Sequence, residues 1–194
     1  MEALHIIGEE HQSLAAILHA VRYMLKEVTA GRLAPDLKLF QAMVHYLEAY
    51  AELRHHPKED LLFHRLAQRT ADGADALARL AAQHAAAPQR IAVLQQALAA
   101  YVADPARLAG FAQAFDDYAE FYRGHMLFEE DAVLPLVRQH LSDADWTELD
   151  ARFAADAQAD TLSDGQREDF KALFSKLVAC APAPIGFGPR PFDG

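Results

Sequence analysis

The chain predicts an all-α protein, an up-down-up-down four-helix bundle with two shorter C-terminal helices and a Pro/Gly-rich tail. Three observations carry that expectation. Apolar residues recur at three- and four-residue intervals nearly throughout, and no alternating stretch reads as a strand. Short turns bearing Gly, Asp and Pro separate four long periodic stretches. Two steps, His55-x3-Glu59 and His125-x3-Glu129, repeat on two of those stretches, and residues four apart share one helix face.

The first helix runs from about Ala3 to Ala30 and stops at Gly31, with Leu4, Ile7, His11, Leu14, Leu18 and Leu25 facing inward. Pro35 opens the second in its first turn, ahead of Asp36. This helix carries Phe40, Val44, Leu47, Ala51, His55, Glu59, Leu62 and Leu66 on one stripe and ends near Gln68. After a turn at Thr70–Gly73, the third spans about Ala74 to Ala103 with Leu77, Leu80, His84, Ile91 and Leu94 inward. Asp104-Pro105 starts the fourth, Asp as N-cap and Pro behind it. Its stripe is Phe111, Tyr118, Phe121, His125, Glu129, Ala132 and Leu136. Residues 1–140 thus form the bundle.

Residues 141–180 form a helical extension. Ser142-x-x-Asp145 and Ser163-x-x-Gln166 read as capping boxes for helices over about 143–158 and 164–179. Trp146, Phe153, Phe170 and Phe174 are expected to pack on the bundle or to form a homodimer surface. The tail, 181–194, holds four prolines and three glycines, a composition for a strap or a disordered end.

Composition excludes several classes. The formal net charge of −10, with no basic stripe, argues against nucleic acid. No apolar run reaches the roughly 20 residues that cross a bilayer. The opening Met1-Glu2-Ala3-Leu4-His5 carries no leader pattern. A single cysteine, Cys180, allows no internal disulfide. A cytoplasmic location is the expectation.

The six candidate metal ligands are His11, His55, Glu59, His84, His125 and Glu129. Their heights can be checked against the turns. In an up-down bundle, converging residues lie equally far from each connecting turn. At 1.5 Å per residue, His11 and the His55/Glu59 pair both stand about 35 Å from the first turn. That pair and His84 stand about 20 Å from the second, and His84 and the His125/Glu129 pair about 30–35 Å from the third. All six fall in one layer.

Taken singly, each is ordinary: a lone inward histidine is usually a satisfied core residue, and a His-x3-Glu step is usually a surface pair worth a few tenths of a kcal/mol. The setting changes this. Glu59 and Glu129 lie on core stripes, and a buried carboxylate without a partner costs several kcal/mol. Four imidazoles and two carboxylates suit a pair of transition ions, iron above all, with zinc or manganese as alternatives. His56-x3-Asp60 is a rival step rotated by about 100°, which makes His56 a boundary or supporting residue. Glu130 rivals Glu129, while Tyr118, Tyr122, Met126 and Phe128 read as packing.

In this order, and with Glu10-His11, His55-His56-Pro57-Lys58-Glu59-Asp60 and His125-Met126-Leu127-Phe128-Glu129-Glu130 around them, the residues resemble the bacterial hemerythrin-like, or HHE cation-binding, family over about residues 3–140. The resemblance implies two iron ions joined by an oxo, hydroxo or water bridge, with Glu59 and Glu129 spanning both. It also implies a small ligand: dioxygen, nitric oxide or peroxide. Oxygen carriers of that family have a second histidine four residues along the third helix, where this chain has Pro88. Proline cannot ligate, and its ring displaces the carbonyl of His84, so a bend is expected there. Water, His56 or Glu52 are the candidates for the missing ligand. An iron, dioxygen or nitric oxide sensor or buffer is therefore expected rather than a carrier. The alternative is a di-iron oxidoreductase for peroxide or nitric oxide, or an iron–sulfur repair protein. Repair is disfavoured because the chain opens at the first helix and its one thiol lies late.

Overall fold

The computed structural model describes residues 1–161, 170–188 and 192. Its elements are helical: α1 (Glu2–Thr29), α2 (Leu37–Tyr50), α3 (His56–Arg69), α4 (Ala74–Ala103), α5 (Leu108–Phe128), α6 (Leu134–His140), α7 (Asp143–Thr161) and α8 (Phe170–Cys180). α2 and α3 form one rod through a π-helical turn at Ala51–His55, and α5 and α6 form another through Glu129–Val133. With α1 and α4 these make a bundle in which α4 packs chiefly on α5, and α1 on α5 and α2.

Local chemistry sets the ends. Gly31 closes α1 at φ +70°, and Gly73 precedes α4 at φ +82°, a region that favours residues without a Cβ. A Cβ on Gly73 would also fall 2.4 Å from Leu136 Cδ1. Asp36 is the N-cap of α2, its Oδ1 accepting from Leu39 N at 3.0 Å. That corrects the expected start, since capping requires Asp36 to lie outside the helix and places Pro35 before it. Asp104 caps a short 3₁₀ turn, Pro105–Arg107, ahead of α5.

The π turns were not expected. In each, one backbone bond spans five residues: His56 N–H to Ala51 O, and Leu134 N–H to Glu129 O. Each donor is followed at once by a proline, Pro57 or Pro135. A proline ring collides with the carbonyl four residues back and offers it no donor. Widening the preceding turn relieves that collision. α4, by contrast, continues as α-helix through Pro88.

A π turn inserts one residue, so the buried stripe advances by one position. Val133 and Val137 are fully buried, whereas Ala132 and Leu136, predicted inward, are only partly so. In the other rod the same insertion brings His56 inside next to His55.

Two apolar cores result. One gathers Leu14 to Val28 of α1 with residues of α2, the second half of α4, and α5. The other gathers Ala3, Leu4 and Ile7 with Leu62, Leu66, Leu80, Val133 and Val137. The four rods of the bundle pass from one core to the other at His11, at His55–Glu59, at His84 and at His125–Glu129. The predicted layer is thus the gap between two cores.

α7 lies against α1 and α3, and α8 against α2 and α1. Trp146, Phe153 and Phe170 are buried there, and Phe174 packs partly buried beside them. The Ser142 box forms: Ser142 N–H and Oγ–H donate to Asp145 Oδ2 at 3.0 and 2.7 Å, and Asp145 N–H returns to Ser142 Oγ at 3.3 Å. The Ser163-x-x-Gln166 box lies outside the described residues. Phe192 is buried, and its N–H donates to Asp36 Oδ2 at 2.9 Å.

Candidate metal centre

Glu59 is the hub. Its carboxylate is fully buried, with Oε1 2.8 Å from His55 Nε2 and 3.2 Å from His11 Nε2. Oε2 stands 3.1 Å from His84 Nε2 and 3.8 Å from His125 Nε2. His11 Nε2 is also 3.4 Å from Glu129 Oε2. The six residues expected from the sequence therefore meet, each rod contributing at least one.

Two compact groups of potential ligand atoms emerge, each within 4.8 Å: His11, His55 and Glu59, and His56, Glu59, His84 and His125. Glu59 belongs to both. Glu129 falls outside these groups and faces the layer beside His11. His56 belongs to the second, which corrects its reading as a boundary residue. Its ring stacks on His84 with centroids 4.2 Å apart. The signal for this shift is Pro57, directly after His56.

Behind the layer, second partners orient the imidazoles. Nδ1 of His11 faces Glu130 Oε1 at 2.8 Å, Nδ1 of His55 faces Glu10 Oε2 at 2.9 Å, and Nδ1 of His84 faces Asp60 Oδ1 at 2.9 Å. For His125 the partner is Gln83 Oε1 at 3.1 Å. All four oxygens accept, so each Nδ1 carries the proton and donates. Each Nε2 lone pair is thereby turned inward, as metal-binding histidines require. Glu130, a rival ligand in sequence, is instead such a support. Glu10, itself buried, also pairs with buried Lys58. His56 is reversed: its Nε2 is hydrogen-bonded to the Tyr122 hydroxyl at 3.1 Å, so Tyr122 is more than packing. These partners lie 42 to 119 residues away from their histidines in all but one case, beyond the reach of local spacing.

The inward atoms fit a cation. His55 Nε2, His56 Nδ1, Glu59 Oε2, His84 Nε2, His125 Nε2 and both Glu129 oxygens are buried without hydrogen-bond partners. Buried polar atoms are nearly always satisfied, and this many orphans converging from three rods call for positive charge. Without metal, protons supply it. Burial opposes charge on His11, but the adjacent carboxylates of Glu129 and Glu59 push it up to about 11. Burial likewise opposes His55 and His84, yet Glu59 with Glu10 raises the one, and Asp60 with Glu59 the other, to about 9. Burial lowers His125. Glu59 is held well below the carboxylate range by His55 and His11 despite burial. Burial and the charge of Glu59 raise Glu129 to about 8. A divalent ion would displace the Nε2 protons and take over their role.

Fold and layer together define a helical-bundle cation-binding protein. The Hemerythrin HHE cation binding domain matches residues 2–137, and the chain belongs to that family. No curated protein and no solved structure matches the chain. Among the described residues, no helix is long and apolar enough to cross a membrane.

Proposed function

We propose that this chain is a non-haem di-iron protein that senses or buffers iron, dioxygen or nitric oxide, built on an up-down-up-down four-helix bundle and working in the cytoplasm. The observation that carries this is the membership of Glu59 in both ligand groups: one carboxylate between two clusters suits a pair of ions and is wasted on one. In this reading His11, His55 and Glu59 hold one iron, and His56, Glu59, His84 and His125 hold the other. Glu129 closes the pair from the fourth rod. His56 takes the place left by the missing histidine at Pro88.

Bound iron, with an oxo, hydroxo or water bridge, would supply one-electron chemistry and an open position for a diatomic ligand. The protein's own part is to orient and to exclude water. Nδ1 partners lock four imidazoles, and two apolar cores seal the layer from both ends. Nitrogen and carboxylate ligands suit iron, while zinc and manganese compete for the same set.

The test is metal identity and count in protein purified without added metal, with the near-ultraviolet spectrum before and after air. Two irons per chain and an oxo-bridge absorption that appears on oxidation are expected. Zinc alone, with no absorption, overturns the reading.

Turnover of peroxide or nitric oxide is a second reading, favoured by the Tyr122 hydroxyl on His56, which can hold or pass a proton at the edge of the centre. Repeated cycling of the reduced protein with peroxide, slowed by Tyr122→Phe, supports the enzyme. A single oxidation without cycling supports the sensor.

A further inference from the structure

Beside the centre, between α3 and α4, a cavity of about 350 Å³ is lined by Glu52, His56, Asp60, His84 and the small side chains of Ala81 and Ala85. Its floor is the stacked pair of imidazoles, His56 on His84. Its rim is acidic: Asp60 is exposed, and Glu52 is a quarter exposed. A second observation points inward. His56 is only 5% exposed, its Nδ1 has no hydrogen-bond partner, and that atom lies 3.5 Å from Glu52 Oε1. Tyr122 holds the other ring nitrogen, so the free one is kept on the Glu52 side.

Elsewhere around the layer, Glu130 pairs with His11, Glu10 with His55 and Gln83 with His125. A second cavity, near Gly8, Glu9, Gln12 and Arg138, is lined by none of the layer's residues.

We propose that divalent cations enter the centre through this mouth, and that Glu52 with His56 Nδ1 is the first capture point on the way in. The proposal rests on the two-ion reading and adds the route. Carboxylates around an opening with low-dielectric walls focus the potential and raise the local concentration of cations. A hydrated ion sheds water in stages: it meets carboxylate oxygen at the rim, imidazole nitrogen at the floor, and the shared Glu59 beneath. Alanines at positions 81 and 85 leave the mouth wide enough for a partly hydrated ion.

The experiment mixes metal-free protein with ferrous iron under nitrogen and follows uptake rate and final stoichiometry at several salt concentrations. Glu52→Gln is expected to slow uptake roughly tenfold at low salt while the final count stays at the wild-type value. Ala81→Arg, which adds a cation at the rim and removes no ligand, should slow uptake similarly, the difference shrinking as salt screens it. Glu9→Gln, at the second cavity, should load at the wild-type rate. Wild-type rates for both mouth variants overturn the route, as does an equal slowing by Glu9→Gln. A fall in final stoichiometry for Glu52→Gln would make Glu52 a resident ligand and overturn its capture role. Wild-type protein that takes up no iron overturns the two-ion reading and the route together.

Discussion

Glu59 Oε1 and His55 Nε2 stand 2.8 Å apart, one helical turn from each other, and both side chains are fully buried. Neither reaches bulk water, so each depends on the other and on whatever cation the layer holds. Replacing Glu59 by Gln removes the one carboxylate common to both groups. Iron per chain should fall to less than half the wild-type value by elemental analysis. Metal-free Glu59→Gln should remain folded by circular dichroism, because an amide is cheaper to bury than a carboxylate. Added iron, at a thousandfold over its dissociation constant, should stabilise the wild type by about 4 kcal/mol and the variant far less.

The π turn at Ala51–His55 makes a second prediction. Leu53 lies within it and is 68% exposed. Leu53→Ala should therefore change neither stability nor iron content. Inserting one alanine after Leu53 exceeds the single extra residue that the π turn absorbs and rotates His55, His56 and Glu59 by about 100° relative to Phe40–Leu47. Iron content should then collapse as it does for Glu59→Gln, although no ligand has been removed. Retained iron would show that the rod absorbs further residues without turning the ligands away.

Asp145 ties α7 to α3. It accepts from Arg65 at 2.6 Å and from Arg69 at 2.6 and 2.8 Å, besides Ser142. Hydrogen bonds from Arg69, Ser142 and Arg65 hold its carboxyl far below the usual range. A depressed folded value contributes stability that is present above the unfolded value, about 3.9, and is lost as pH falls from there toward the folded value. Asp145→Asn should lower the melting midpoint at pH 7 by roughly 2–8 °C. The gap from wild type should stay constant down to about pH 5 and narrow below about pH 4. A gap unchanged at pH 3 would mean that Asp145 acts by shape, not charge.

Phe153 is fully buried among residues that include Ala3, Ile7, Leu62 and Trp146. Phe153→Ala should cost about 3–5 kcal/mol in urea denaturation. Ending the chain after residue 140 should expose the same surface and cause aggregation. A truncated protein that stays monodisperse would show that α7 is dispensable to the bundle.

Helical periodicity alone marked the four long segments, and equal distances from the turns placed His11, His55, Glu59, His84, His125 and Glu129 at one height. Both rest on the fixed rise and repeat of the α-helix, which the order of residues encodes directly. What the repeat could not reveal is where it breaks. The wide turns before Pro57 and Pro135 shift later residues by one position, and only packing between rods decides that an extra residue is absorbed there. His56 enters the layer, and Val133 and Val137 replace Ala132 and Leu136, for that reason. The supports of the imidazoles, Glu10 on His55, Gln83 on His125, Tyr122 on His56 and Glu130 on His11, come from other rods. Their pairing depends on how the rods are rotated against each other, a quantity no local spacing contains. Sequence thus determined the rods and the layer, and tertiary packing decided which atoms face into it.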